Sequence, residues 1–397
     1  MPQGPEPAMV LPEMTEQSRH LPENTPSAPE SRFLTKPLSV ALDFARFAAA
    51  ALVVVGHSVQ LHFYTGPYPF TDRLQHYCVI VFFVLSGLVI STSVTARPSS
   101  LARYAIARFS RILPVAIPAL LFAAFAAYVA AGDVPVRIDN SPDDPLLFAE
   151  RILPPLVFIS AWPGMPAPVW NPPYWSLCYE VWYYAIFALA FFLRGRLRWM
   201  AVLLACLTAG PTLLMLFPVW LLGVALMHVP AARRLPMWAA PLVLAGCIAG
   251  AVLLFQVDRS VLNPFAFWLW PGQLKWSSWV LSDLCMGLIM AAATIALRPL
   301  AERSRRVLLK LAGVAHGLAG FSFTLYLFHW PLIQLMRSWG VEAGENTGLW
   351  LLLLALVIGL CALFSILTER QSPHVRRWME KRFLRENRAG APRAVVA

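Results

Sequence analysis

The chain has 397 residues, of which 58% are hydrophobic and only 13% charged, and its mean hydropathy is +0.60. An average soluble domain carries roughly 25% charged residues, so there is too little polar material here to coat a water-facing globule. The formal charge of +11 lies in short clusters between apolar stretches, the pattern of membrane topology rather than of a nucleic-acid surface, and no nucleic-acid partner is expected.

Residues 1–37 are rich in Pro, Glu and Ser without apolar periodicity and read as a disordered cytoplasmic tail. No cleavable signal peptide is expected, because the first apolar run starts near Leu38 and is long enough to remain as an anchor. Spans able to cross a bilayer core of ~30 Å are expected at roughly 38–61, 77–95, 112–131, 174–193, 199–215, 218–229, 236–256, 279–297, 319–338 and 348–368. The fifth and sixth are the weakest, since Pro218 makes them either a broken hairpin or one kinked element. The runs are continuous rather than alternating, which argues against a β-barrel. The expected fold is therefore all-α: a polytopic membrane protein of about ten transmembrane helices, with both termini cytoplasmic. A membrane domain over 38–370 is followed by a basic cytoplasmic tail over 371–397.

The distribution of basic residues fits that map. Of the 32 Lys and Arg, 25 fall on the cytoplasmic side. Six lie outside (Arg73, Arg137, Arg151, Arg259, Lys275 and Arg337), and Arg46 lies within a span. The external loop 132–173 is acidic and Pro-rich, and loops of this length are usually functional. The six cysteines all fall within spans and none forms a C-x-x-C pair, so neither disulfides nor a metal site is expected.

Ionisable groups at membrane depth are costly and mark functional sites by default. Arg46 and His57 are eleven residues apart, about three turns plus 20°, which puts them on one helix face about 16 Å apart along the axis. The Ser86-Gly87 pair of the second span reads as a close-packing site. Arg108 and Arg111, three apart on one face, suit a phosphorylated ligand because guanidinium pairs with phosphate in a fork. Glu180 follows Trp175 and Ser176 near the outer end of the fourth span, at about the depth of His57, where a carboxylate would orient the imidazole. Ser322, Tyr326 and His329 form one stripe ahead of Pro331, whose kink frees backbone groups. Asp283 and Glu369 complete the set. Taken singly, each has a plainer reading as a snorkelling, packing or topology residue.

Together LDFAR…GHS, FFVLSG, RYAIARFSRILP, WSLCYE and SFTLYLFHWP, in this order across roughly 38–370, resemble the acyltransferase-3 family of integral-membrane O-acyltransferases. The resemblance implies acyl-CoA as a co-substrate entering from the cytoplasm, O-acylation of a carbohydrate or glycosylated acceptor, and residence in a bacterial inner membrane. It maps His57 as the essential base with Arg46 in the same motif, Arg108 and Arg111 on the donor's phosphates, and Glu180 at the acceptor side. Ser86 joins the donor candidates, and Trp175, Ser176, Tyr326, His329 and Asp283 are candidates for the acceptor. No tightly bound cofactor is expected. Glu369 stands further from Pro373 than the family's Glu-x-Pro spacing, and the end of the chain soon after the tenth span leaves no appended hydrolase-like domain to expect. On this reading His57 removes the acceptor hydroxyl's proton as that oxygen attacks the thioester, with an acyl-His intermediate as the variant. The rival class is a transporter or flippase whose intramembrane Arg, His and Glu bind a polar solute.

Overall fold

In lipid a backbone has no water to bond, so apolar segments close their hydrogen bonds within helices, and helices are what a computed structural model contains. It describes residues 33–384 apart from 72, 97–99, 131–144, 163–164, 166–167, 169, 231–233, 258–261 and 263–274. Among the described residues there are helices and no strands. The expected N-tail up to 32, the acidic head of the 132–173 loop and the end of the C-tail lie outside them.

In chain order the elements are α1 (Lys36–Gln60), α2 (Leu74–Ala96), α3 (Leu101–Ala130), α4 (Pro145–Leu156), α5 (Trp175–Phe192), α6 (Gly195–His228), α7 (Ala240–Val257) and α8 (Val280–Arg303). They continue with α9 (Arg305–Lys310), α10 (Ala312–Ala319), α11 (Ser322–Ser338), α12 (Thr347–Leu367) and α13 (Ser372–Met379). α1 starts where Thr35 accepts from Leu38 N at 3.4 Å with Pro37 in the first turn, and α12 starts on Asn346, which accepts from Leu349 N at 3.0 Å. Side-chain caps of this kind satisfy first-turn amides that have no partner inside the helix.

Among the described residues, eight helices (α1, α2, α3, α5, α6, α7, α8 and α12) are long and apolar enough to cross a bilayer. Leu121, Phe125, Leu203, Leu207, Leu253, Leu352 and Leu363 are exposed on them, apolar surface that water would not tolerate in such quantity and lipid does. The chain is a multi-pass membrane protein. Two of the expected spans differ in detail, each for a physical reason. The expected fifth and sixth spans fall in α6 as two helical halves joined at a kink, the kinked alternative of the two that the sequence leaves open. Its break falls at Gly210, with φ 75°, ahead of Pro211, and not at Pro218, which stays inside helix. A left-handed backbone costs glycine little, and the following proline supplies no amide to repair the ladder. The ninth span is α11, 17 residues and buried along most of its length, so neighbouring helices rather than lipid surround it. The segment expected as a basic tail opens with α13, which packs against α3.

α2 packs along α6, α1 along α2, α7 along α8, and α11 against α3, α1 and α12. The α2–α6 crossing depends on two glycines. A Cβ at Gly87 would overlap the carbonyl oxygen of Trp220, and one at Gly223 would overlap that of Val84. Gly87 thus performs the close packing expected of the Ser86-Gly87 pair, because small residues let two backbones touch. Ser86 turns elsewhere.

Candidate active site

Pro331 organises the centre. Without an amide hydrogen it cannot bond the carbonyl of Leu327 four residues back, and that carbonyl is taken by Asn171 Nδ2 at 2.9 Å. Asn171 is fully buried just ahead of α5. No local pattern singles it out, although an unsatisfied carbonyl ahead of an intramembrane proline signals that some donor is needed.

Two residues before that proline, His329 is fully buried and its Nδ1 lies 3.0 Å from the carbonyl of Leu325. A carbonyl only accepts, so Nδ1 carries the hydrogen and Nε2 of the neutral ring is an acceptor. That Nε2 is 2.7 Å from His57 Nδ1, and the two rings are parallel within 4° at 5.0 Å. His57 therefore donates through Nδ1, which leaves its Nε2 lone pair open. Trp330 meets the same ring edge-on at 4.8 Å. Next to His57, Ser58 accepts from Trp350 Nε1 at 2.9 Å, and Trp350 stacks on Tyr64 at 4.0 Å. The end of α1 is held on three sides.

Two cavities adjoin within the bundle. The one on the His57 side, about 230 Å³, is walled by His57, His76, Arg73, Trp175, Trp276 and Trp279. The other, about 80 Å³, holds Arg46, Arg108, Arg111, Ser86, Glu180 and Tyr184. Val79 and Tyr326 line both. The Tyr326 hydroxyl donates to Pro173 O at 2.9 Å and meets Ser176 Oγ at 2.8 Å, so the shared wall is pinned to the start of α5.

In the arginine cavity Ser86 Oγ accepts from Trp220 Nε1 at 3.2 Å and meets Tyr184 OH at 3.0 Å. Tyr184 also donates to Glu180 one turn earlier. The Arg108 guanidinium lies 5.8 Å from the Tyr104 ring and 5.9 Å from that of Tyr184, and its buried Nε has no hydrogen-bond partner among the described residues. Arg46 stands 3.8 Å from Asp43, which is itself 2.9 Å from His316. Glu369, left aside by its spacing from Pro373, lies near these arginines without lining the cavity. It accepts from Thr324 N at 3.0 Å and Thr324 Oγ1 at 3.2 Å, within electrostatic reach of Arg111 and Arg46.

Three expectations change. Glu180 does not line the His57 cavity; it sits with the arginines, on the face of α5 from which Tyr184 one turn on reaches Ser86 of α2. His329, expected among the acceptor contacts, stands behind His57 and holds it. Asp283, expected there too, meets His76 Nε2 at 2.8 Å and acts on the cavity through that ring. His76 is the residue that sequence reasoning missed, since one histidine near the start of an apolar helix has no signature of its own. Arg46, Arg108, Arg111 and Ser86 are brought together; Trp175 lines the His57 cavity, Ser176 the arginine cavity, and Tyr326 both.

A family model described as an acyltransferase domain matches residues 39–368. No curated protein and no solved structure matches the chain.

Proposed function

The chain belongs to this acyltransferase family and is a membrane acyltransferase, and we propose that it moves an acyl group from acyl-CoA to a hydroxyl of a carbohydrate or glycosylated acceptor, with His57 as general base. The observation that carries this reading is the pair of cavities sharing Val79 and Tyr326, one rich in arginine and the other holding an open imidazole nitrogen among tryptophans. A donor with several phosphates needs cationic forks, and Arg108, Arg111 and Arg46 supply them, Arg108 with an unused buried donor. An acceptor with a hydroxyl and an apolar ring face suits the tryptophan-lined side. On this reading the arginine side and both termini are cytoplasmic, as the basic residues suggest, and the membrane is a bacterial inner membrane.

The chemistry runs along the histidine pair. His329 keeps its proton on Nδ1 toward Leu325 and so holds the His57 proton on Nδ1. Nε2 of His57 then takes the acceptor hydroxyl's proton as that oxygen attacks the thioester carbonyl. A C–O bond forms, the C–S bond breaks, and the proton passes from His57 to the departing CoA sulfur. Proton transfer of this kind contributes typically 10²–10⁴-fold.

The test is label transfer by the detergent-purified protein from acetyl-CoA and succinyl-CoA to a panel of sugars, for the wild type and His57→Ala. Label on an acceptor with the wild type alone supports donor, acceptor class and base together. Wild-type rates from a folded His57→Ala protein would overturn the base. Neither transfer nor CoA release with any donor would overturn acyl-CoA dependence.

A further inference from the structure

The His57 cavity holds a second imidazole that the reaction above does not use. His76 lines it from the start of α2, buried, with Nε2 2.8 Å from Asp283 Oδ1 on α8. Its ring is nearly parallel to Trp175 at 5.8 Å and meets Trp279 edge-on at 4.8 Å. Trp276 stacks on Trp175 at 5.4 Å, and Arg73 covers Trp279 at 4.8 Å. Gln75, beside His76, donates to Gln60, a turn beyond His57, at 3.0 Å, which ties α1 to α2 between the two histidines.

The Asp283 side chain has no exposed surface. A carboxylate enclosed in an apolar bundle is costly to keep. A carboxylate fixes which nitrogen carries the hydrogen: Asp283 accepts from Nε2–H, so Nδ1 is left with the lone pair. Nδ1 has no partner among the described residues. The group that matches it is a hydroxyl, which donates to Nδ1 of the neutral ring and accepts from Nδ1–H of the charged one. The tryptophans around it match the C–H face of a ring.

We propose that His76 and Asp283 form a binding site for a second, non-reacting hydroxyl of the acceptor, so that the acceptor is read at two hydroxyls, one facing His57 and one facing His76. This rests on the reading that the tryptophan-lined cavity takes the acceptor. His76 touches that hydroxyl; Asp283 is a positioning residue that sets which hydrogen bond His76 can make. A site built to bond a hydroxyl rejects the analogue lacking it far more strongly than an apolar pocket distinguishes a methylene.

Binding is measured first, without acyl-CoA, so that it does not depend on turnover. Methyl hexopyranosides and their monodeoxy analogues are titrated into the full-length protein in detergent, and affinity is read from tryptophan fluorescence. The wild type is expected to bind at least one glycoside about tenfold or more tightly than one of its monodeoxy analogues. His76→Phe keeps a flat ring for the tryptophans but is expected to bind the parent no better than that analogue. Asp283→Asn, which keeps the shape but not the charge, is expected to lose most of the same preference, and thermal unfolding shows which variants fold. Equal affinity for every parent and its analogues, no binding of any glycoside, or a preference surviving in folded His76→Phe would each overturn the proposal. Label transfer with the same acceptors then separates the two readings: binding discrimination without any transfer leaves the hydroxyl site standing and refutes the transfer reaction.

Discussion

The hydrogen bond from His57 Nδ1 to His329 Nε2 makes a quantitative prediction. In His329→Leu the acceptor is gone, while His57 Nδ1–H remains in a buried site with no other partner among the described residues. Leaving that donor unsatisfied costs about 1–3 kcal/mol. The imidazole avoids the cost by moving its hydrogen to Nε2, where it meets the cavity, and in that tautomer it is no longer a base. At a factor of ten per 1.36 kcal/mol, the productive tautomer and kcat should fall by about 5- to 150-fold. The KM for acyl-CoA should stay near the wild-type value, because the arginine cavity is untouched and only an interaction made during the reaction is lost. His329→Gln offers an amide oxygen to His57 and an amide hydrogen to Leu325 O, so it should restore most of the rate. The assay is steady-state label transfer with varied acyl-CoA at fixed acceptor. Wild-type kcat in folded His329→Leu, or equal loss in the Leu and Gln variants, would refute the tautomer argument.

Three further outcomes follow from the same geometry. Arg108→Met or Arg111→Met should raise the KM for acyl-CoA about tenfold or more, from lost charge-assisted bonds of about 1.5–3 kcal/mol. The rate with an acyl-pantetheine thioester, which lacks the phosphates, should stay unchanged, and equal loss with both donors would argue against a phosphate role. Asn171→Ala strands the Leu327 carbonyl freed by Pro331 and should destabilise the protein by about 1–3 kcal/mol; an unchanged thermal unfolding midpoint in detergent would mean that another donor replaces it. Gly87→Ala forces a methyl against Trp220 O at the α2–α6 crossing and should cost about 1–3 kcal/mol. Ala at Gly246, which has open space around it, is the matched control, and similar losses at the two positions would deny the crossing its special closeness.

Membrane residence, the all-helical class and the family were legible along the chain because each depends on local quantities. Hydropathy over twenty residues decides whether a helix can lie in lipid, and the segments from LDFAR to SFTLYLFHWP are contiguous strings. Arg46, His57, Ser86, Arg108, Arg111 and Tyr326 were singled out the same way, since charge or hydroxyl in an apolar helix is conspicuous wherever it ends up. Tertiary structure alone decided what each of them meets. Glu180 and His57 have similar depth by residue count, yet helix rotation turns one toward arginines and the other toward His329. Asn171 and Leu327 O lie 156 residues apart, as do many pairs with no contact at all. His76 gains its meaning only from Asp283, brought beside it from α8. Even the break in α6 fell at Gly210 rather than Pro218, because a proline can ride inside a helix whose neighbours tolerate it, whereas φ of 75° cannot. Composition and periodicity act through solvent, which every residue feels alone. Catalytic geometry acts through pairs, and only the packed bundle chooses them.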